Sequence, residues 1–490
     1  MQAVGSPQPS LRGNVLPLAG LVLLSTLLAI GSYNVGAMAV LPIFGVIFVA
    51  LVLARPEYGI ALFLSTFLMA YPSWLQGVGY LTLNNLLGAM FLVLLVYKVY
   101  REQDWWFLWC PEIHLLGFII LTYWLSSRFN EPDPQKVSLL GAGFYFAEGL
   151  RTFVNRAAFT LFFIVYIRTP AHVRMIYLLA VAFMVFTSLT GVQGVLHGGG
   201  LKSTGRAYSE TTELVAGQAG LIRAAGNPNR LAMFSILAIA ALWFLMQYLR
   251  IPMLNLVFLP TMVLLAFAVF LTASRSGLLG LVVCIGAILL EGGIDIRKIL
   301  SFVLAGMLLV SIVGQFVPEK SLERITNLPG TESAATGEGS ASLERRQGAI
   351  QVAWDMFKDS PILGVGMGNW AVARFLKDPG YVAGSPHNSY LLALVEGGIF
   401  CLLGFLALLF RTWQNLRFAE RHVTQPNSPF ADLKWVVKSA KVSLVVLVFF
   451  SLVADLWNLV ILFMLVGFGV VIRRLIAQNL QDDASGAYAY

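Results

Sequence analysis

Residues 385–410 read SPHNSYLLALVEGGIFCLLGFLALLF. A polar segment ends in Pro386, His387 and Asn388, and an apolar run then continues to Phe410 with Glu396 as its only charge. A run of roughly 20 apolar residues, rising about 1.5 Å each as a helix, is long enough to cross the hydrocarbon of a bilayer. This stretch therefore predicts a transmembrane helix with a His-Asn pair at its mouth, and the rest of the chain repeats the pattern.

The protein has 490 residues, 58% hydrophobic and 12% charged, with a mean hydropathy of +0.77. A soluble domain carries about a quarter charged residues. This chain cannot cover its surface with charge, so lipid must be part of its solvent. Its apolar stretches are continuous runs of roughly 17–25 residues, which excludes the ten-residue alternation of a membrane β-barrel. The fold class is an all-α polytopic membrane protein. The net charge of +8 does not point to nucleic acid, because the Lys and Arg residues sit in the short connections between apolar runs and form no basic cluster with interleaved aromatics. Cys110, Cys284 and Cys401 are far apart and define neither a disulfide framework nor a metal spacing.

Apolar runs punctuated by charge give about 12–14 transmembrane helices. The runs fall near 14–31, 36–53, 59–75, 81–98, 113–127, 152–168, 173–190, 229–249, 253–273, 276–292, 298–317, 388–410, 437–453 and 456–473. The first is longer than the apolar part of a signal peptide, and further runs follow at once, so it reads as a retained helix despite the Ala37–Ala39 motif. One alternate set of connections holds Arg55, Lys98, Arg101, Arg168, Arg174, Arg250, Arg297 and the Arg473-Arg474 tail. The opposite short loops lack Lys and Arg, except for Arg275. The positive-inside rule then puts both termini in the cytoplasm and three long loops, 128–151, 191–228 and 318–386, outside. The chain divides on this reading into N-terminal helices 1–190, a central core 191–317, a large outer loop 318–386 and C-terminal helices 387–490.

The outer loop has internal order. Residues 329–342, PGTESAATGEGSAS, read as flexible linker. LERRQGAIQVAWDMFKDSP then places Ile350, Ala353, Trp354 and Phe357 at helical spacing, which predicts an amphipathic helix with Arg345 and Arg346 in its first turn and a stop at Ser360-Pro361. No internal repeat is evident, nor the inverted pair of broken helices of a transporter.

Several constellations could carry chemistry. In LTASRSGLLG, Arg275 between two apolar runs is costly in lipid unless it snorkels, pairs with a carboxylate or meets an anionic ligand. In GLIRAAGNPNRLAMF, Arg223 and Arg230 flank the Asn227-Pro228-Asn229 turn at the same membrane face. Arg345 and Arg346 at a helix start would suit phosphate oxygens. GVGMGNW (364–370) lacks the spacing and the Lys-Ser/Thr of a phosphate loop and reads as a tight turn. His387, with Asn388 able to orient it, closes the arginine-bearing loop; it is either a capping residue or a base for a sugar hydroxyl. Glu131 and Asp133 in EPDP have no companion ligands, so no metal site is expected.

Four pieces, RAAGNPNRLA (223–232), TASRSGLLGL (272–281), RRQGAIQVAWDMFKDSPILGVGMG (345–368) and SPHNSYLLALVEGGI (385–399), resemble in order the O-antigen ligase and O-antigen polymerase superfamily of bacterial membrane glycosyltransferases. The resemblance spans about residues 200–410. It implies a GT-C-like helical fold, a glycan donor on undecaprenyl diphosphate, an acceptor hydroxyl such as a lipid A-core sugar, and no metal or other cofactor. Carried over by position, His387 is the expected catalytic base. Arg275, Arg346, Arg345 and Arg223 are the expected diphosphate ligands, with Asn388, Asn229 and Arg206 as secondary candidates. The resemblance further implies an inner-membrane enzyme working at the periplasmic face. A polymerase of lipid-linked repeats and a transporter of lipid-linked glycans are the alternatives; the transporter would need more charge within its spans than Glu396 and Asp455 near their ends.

Overall fold

The computed structural model describes residues 52–68, 83–103, 105–130, 146–196, 228–293, 295, 300, 306, 338–370, 373–374, 386–456 and 459–487; within these, only the backbone is described for 83–84, 146–148, 194–196, 338–345 and 482–487. The chain divides into two compact units, Met1–Gly59 and Ile60–Tyr490. In the first, the described residues are the turn of helix at 52–54 and the start of α1 (Pro56–Leu68).

The second unit is a helical bundle, with no strand among the described residues. In order come α2 (Leu83–Glu102), a 3-10 turn at Trp106–Trp109, α3 (Pro111–Phe129), α4 (Phe146–Tyr166), α5 (Pro170–Leu196) and α6 (Pro228–Leu249). They are followed by α7 (Pro252–Leu271), α8 (Arg275–Gly292), α9 (Glu338–Asp359), α10 (Ser389–Val423), α11 (Lys434–Ser451) and α12 (Val460–Ala487). Six of these, α5, α6, α7, α8, α10 and α12, are long and apolar enough to cross a membrane. Prolines at or next to the first residue start α3, α5, α6 and α7, where the missing N–H costs nothing. The expected run at 14–31, residues 36–51 of the run at 36–53, residues 69–75 of the run at 59–75 and most of 298–317 lie outside the described residues, as do the three expected outer loops apart from their margins, α9 and the residues 360–370 and 373–374 that follow it.

Lipid as solvent accounts for the distribution of apolar side chains. Met253, Leu256, Val257 and Leu259 of α7 and Leu279, Val282 and Leu290 of α8 are exposed, whereas α6 and α12 are almost wholly enclosed. Helices in such a solvent associate through packing and hydrogen bonds, and small residues let them approach. A Cβ on Gly277 of α8 would come within 2.8 Å of the Ala232 Cβ of α6. Ser235 Oγ of α6 donates to Ser188 Oγ of α5 at 2.9 Å, and Thr160 Oγ1 of α4 to the Phe463 carbonyl of α12 at 3.1 Å.

Three expectations for the outer loop are corrected. The helix starts at Glu338, inside the stretch read as linker, because EGSAS continues into strong helix formers without a breaker. Arg345 and Arg346 therefore lie about two turns inside α9, and the free amides of its N-terminus are not beside them. The buried face is Ala349, Ala353 and Met356, while Ile350 and Trp354 are half exposed, so two alanines and a methionine face the bundle and two of the bulkiest apolar side chains face outward. Close approach to α10 selects for small residues here, and hydrophobic periodicity alone could not register that. The helix stops at Asp359, ahead of Ser360-Pro361 as expected.

Candidate functional site

The site assembles at the ends of helices. Ser274 caps α8 by accepting from Gly277 N at 3.0 Å, which leaves Arg275 as the first helical residue. The same hydroxyl donates to Asn229 Oδ1 at 2.7 Å and lies 3.0 Å from Ser276 Oγ. Two motifs 45 positions apart are thereby tied together, the Asn-Pro-Asn-Arg start of α6 and the Ser-Arg-Ser start of α8. The Asn229 side chain, expected near substrate, is buried and used for this tie. Ala273, just ahead of the cap, has φ +46°, a left-handed conformation that an alanine seldom adopts and that lets the chain reverse sharply before Arg275.

At the other margin, Asn388 Oδ1 caps α10 by accepting from Leu391 N at 3.0 Å. Its side chain is thus committed to the helix and does not orient the imidazole. The neighbour of His387 is instead Asp455, in the turn between α11 and α12: Nδ1 and Oδ2 are 3.8 Å apart, an ion-pair separation longer than a hydrogen bond. Ser389 fixes this arrangement. Its hydroxyl donates to the Ala454 carbonyl at 2.8 Å and accepts from Leu456 N at 2.7 Å, bracketing Asp455 on both sides. His387 has φ +51°, and its ring is about one-third exposed.

Asp455 is the electrostatic centre. Arg230 of α6, Arg346 of α9 and the backbone N–H of Asn388 all act on its carboxylate, and Glu396 lies within range as a second acid. Burial nevertheless dominates and pushes its carboxyl up to about 6. The Arg346 guanidinium is held below the usual arginine range by burial first and by the Arg275 charge second, with Asp455 opposing both. Arg346 Nε is buried and meets no hydrogen-bond acceptor among the described residues. Arg156 of α4 extends the set: it is within electrostatic range of Arg230, its guanidinium lies 5.9 Å from the Phe67 ring centroid, and its buried Nε also lacks an acceptor among the described residues.

Of the residues singled out by sequence, the structure brings Arg275 beside Arg346 and links Arg346 to His387 through Asp455. Arg223 and Arg206 lie outside the described residues, as do the EPDP segment and the side chain of Arg345. Sequence reasoning missed Asp455 and Arg156, and left Arg230 as a flanking residue. The signal was there: Arg156 stands at the head of the run 152–168, and Asp455 is an acid in a short connection between two apolar runs. A charge at such a place is expensive without a purpose.

Four guanidiniums, an imidazole and a carboxylate linked through successive electrostatic contacts offer the groups to hold a multiply charged anion and move a proton beside it. Comparison with known families fits this chemistry. No curated protein matches the chain. The family model described as O-antigen ligase matches residues 260–406, which run from α7 to α10 and hold Arg275, Arg346 and His387. Over these residues the chain is similar to the O-antigen ligase family of membrane proteins.

Proposed function

We propose that this protein transfers a glycan from undecaprenyl diphosphate to an acceptor hydroxyl, a lipid A-core sugar, at the periplasmic face of the inner membrane. The observation that carries the reading is an excess of guanidinium groups beside a His387–Asp455 pair. A diphosphate leaving group develops negative charge as the glycosidic C–O bond breaks. Arg275 and Arg346, with Arg230 and Arg156 behind them, stabilise that charge where water is scarce. Asp455 faces Nδ1 and favours a proton there, so Nε2 keeps its lone pair for the acceptor hydroxyl. In one displacement His387 takes the hydroxyl proton, the oxygen bonds to the anomeric carbon, and the electron pair of the broken bond leaves on the diphosphate. Inversion at that carbon follows. The resulting imidazolium is stabilised by ionised Asp455.

The test is reconstitution of purified protein with an undecaprenyl-diphosphate-linked glycan and candidate acceptors, followed by mass analysis. Glycan on lipid A-core is the expected product. A lengthened polyprenyl-linked glycan identifies a polymerase instead, and glycan moved across the vesicle without a new bond overturns the enzyme reading. Replacing His387 by Ala should lower turnover by about 10²–10⁴-fold while donor binding persists; near-normal turnover removes His387 from the mechanism.

A further inference from the structure

The His-bearing helix is broken. At Gly398 α10 has φ +72° and ψ −173°, so residues 389–397 form a separate half-helix that opens at Asn388. Ile399 N, which would bond the Val395 carbonyl in a continuous helix, donates to the Pro361 carbonyl at 2.9 Å. The freed carbonyls of Val395 and Glu396 accept from Val365 N at 2.8 Å and Gly366 N at 3.0 Å. The turn after α9 thus lies in the break and replaces its lost hydrogen bonds. The fit leaves no room for a side chain: a Cβ on Gly398 would come 1.9 Å from the Ile362 carbonyl oxygen, and one on Gly364, at φ +70°, 2.4 Å from the Val395 oxygen.

The turn holds a carboxyl group, supplied by the chain itself. Gly366 and Gly368 have φ +96° and +78°, a left-handed backbone that glycine enters without strain. The backbone N–H groups of Gly368 and Trp370 are directed at the buried Glu396 carboxyl, with Trp370 N 3.4 Å from Oε1. Further bonds hold the turn, Ser360 Oγ to the Gly364 carbonyl at 2.7 Å and Asn130 Nδ2 to that carbonyl at 3.0 Å, and one from α3 holds the half-helix, Ser126 Oγ to the Glu396 carbonyl at 2.7 Å. Ala349, Ala353 and Met356 of α9, Trp370 of the turn and Val395 of the half-helix form one buried apolar cluster.

We propose that Glu396 is a positioning residue: by accepting from the turn that lies in the break of α10, it fixes the half-helix carrying His387 relative to α9, which carries Arg346. It thereby sets the separation of base and diphosphate clamp. The proposal rests on the roles given above to those two residues, although the mechanical coupling stands apart from them. Removing the acceptor frees the half-helix to pivot at Gly398, and a misplacement on the order of 1 Å costs roughly 10²-fold in rate.

The test combines amide hydrogen exchange on the detergent-solubilised full chain with kinetics on wild type, Glu396→Gln and Glu396→Ala. In Glu396→Ala, exchange should rise about tenfold or more both in residues 364–370 and in 389–397, and kcat should fall by about ten- to a hundredfold while the KM for donor stays within about twofold. Glu396→Gln, whose amide oxygen still accepts from both N–H groups, should restore protection and most of kcat. Exchange that rises in the turn alone, or a Gln variant as impaired as the Ala variant, overturns the proposal. If Glu396→Ala does not yield folded protein, Ser360→Ala, which removes one outer bond of the turn, should give the same two-segment rise at smaller size, and a rise confined to 364–370 again overturns it. Exchange is read without substrate, so a protein that transfers no glycan still tests the coupling. Normal turnover in His387→Ala sinks only the function.

Discussion

The two ends of the bundle treat charge differently. At the end opposite His387, cations meet acids and carbonyls. Buried Glu112 of α3 accepts from Arg411 Nε at 3.3 Å and Asn415 Nδ2 at 2.8 Å of α10, and Asn415 Oδ1 accepts from Arg473 of α12 at 3.0 Å. Lys441 of α11 bridges Glu291 of α8 and Glu420 of α10. Arg474 donates to the Ile164 and Ile167 carbonyls at the end of α4. At the His387 end, Arg230 and Arg346 act on the single carboxylate of Asp455, with Arg156 beside Arg230 and Arg275 beside Arg346, so cations outnumber the acid they face. Closed networks tie helices together; an open excess of one sign stores binding capacity at the expense of stability.

Substitutions at the two ends should therefore separate activity from stability. The largest effect expected after that of His387→Ala is from Arg346→Gln: transfer falling by about 10–10³-fold, as for loss of a charge-stabilising donor, with a melting temperature unchanged or higher because a repelling neighbour of Arg275 is gone. At the opposite end, Glu112→Ala should do the reverse. It leaves Arg411 and Asn415 without their shared acceptor, costs about 1–3 kcal/mol and lowers the melting temperature, while turnover per folded molecule is kept. Equal loss of activity in both variants would erase the contrast.

The acid at the centre sharpens it further. With its carboxyl pushed up to about 6, Asp455 is neutral below that pH and ionised above it. As pH falls through about 6 it loses its hold on the imidazolium, and kcat falls. Asp455→Asn should lower the plateau and remove that part of the acidic limb, which a pH–rate profile reads directly. For stability the sign is opposite: a carboxyl raised from 3.8 to about 6 favours the folded state at low pH, and this contribution is lost as pH rises through about 6. The groups facing it (Arg230, Arg346, His387, the Asn388 amide and Glu396) are all at the site, so the ionisation that enables catalysis should also lower the melting temperature. The smallest effect is from Ser389→Ala, which removes the bracket around Asp455 and should cost about 1 kcal/mol and a few-fold in kcat.

Much of this was legible in the sequence, because membrane helices announce themselves through composition. Continuous apolar runs located α5, α6, α7, α8 and the start of α10 to within a few residues, and the cost of a lone charge in lipid marked Arg275. Chain-local patterns could not say which side of α9 would be buried, because that depends on how closely α10 approaches. They could not show the break at Gly398 either, since a helix interruption filled by another segment's amides leaves the apolar run intact.

The amino-acid sequence by itself determined that this is a helical membrane protein with arginines and a histidine at the mouths of its helices, because hydropathy and the desolvation cost of charge act residue by residue. Only the tertiary structure decided that Asp455, not Asn388, is the partner of His387, that Arg230 and Arg156 join the cationic set, and that Glu396 fills the glycine turn. Each of those depends on electrostatic and hydrogen-bonding distances between segments far apart in the chain, and packing alone sets such distances.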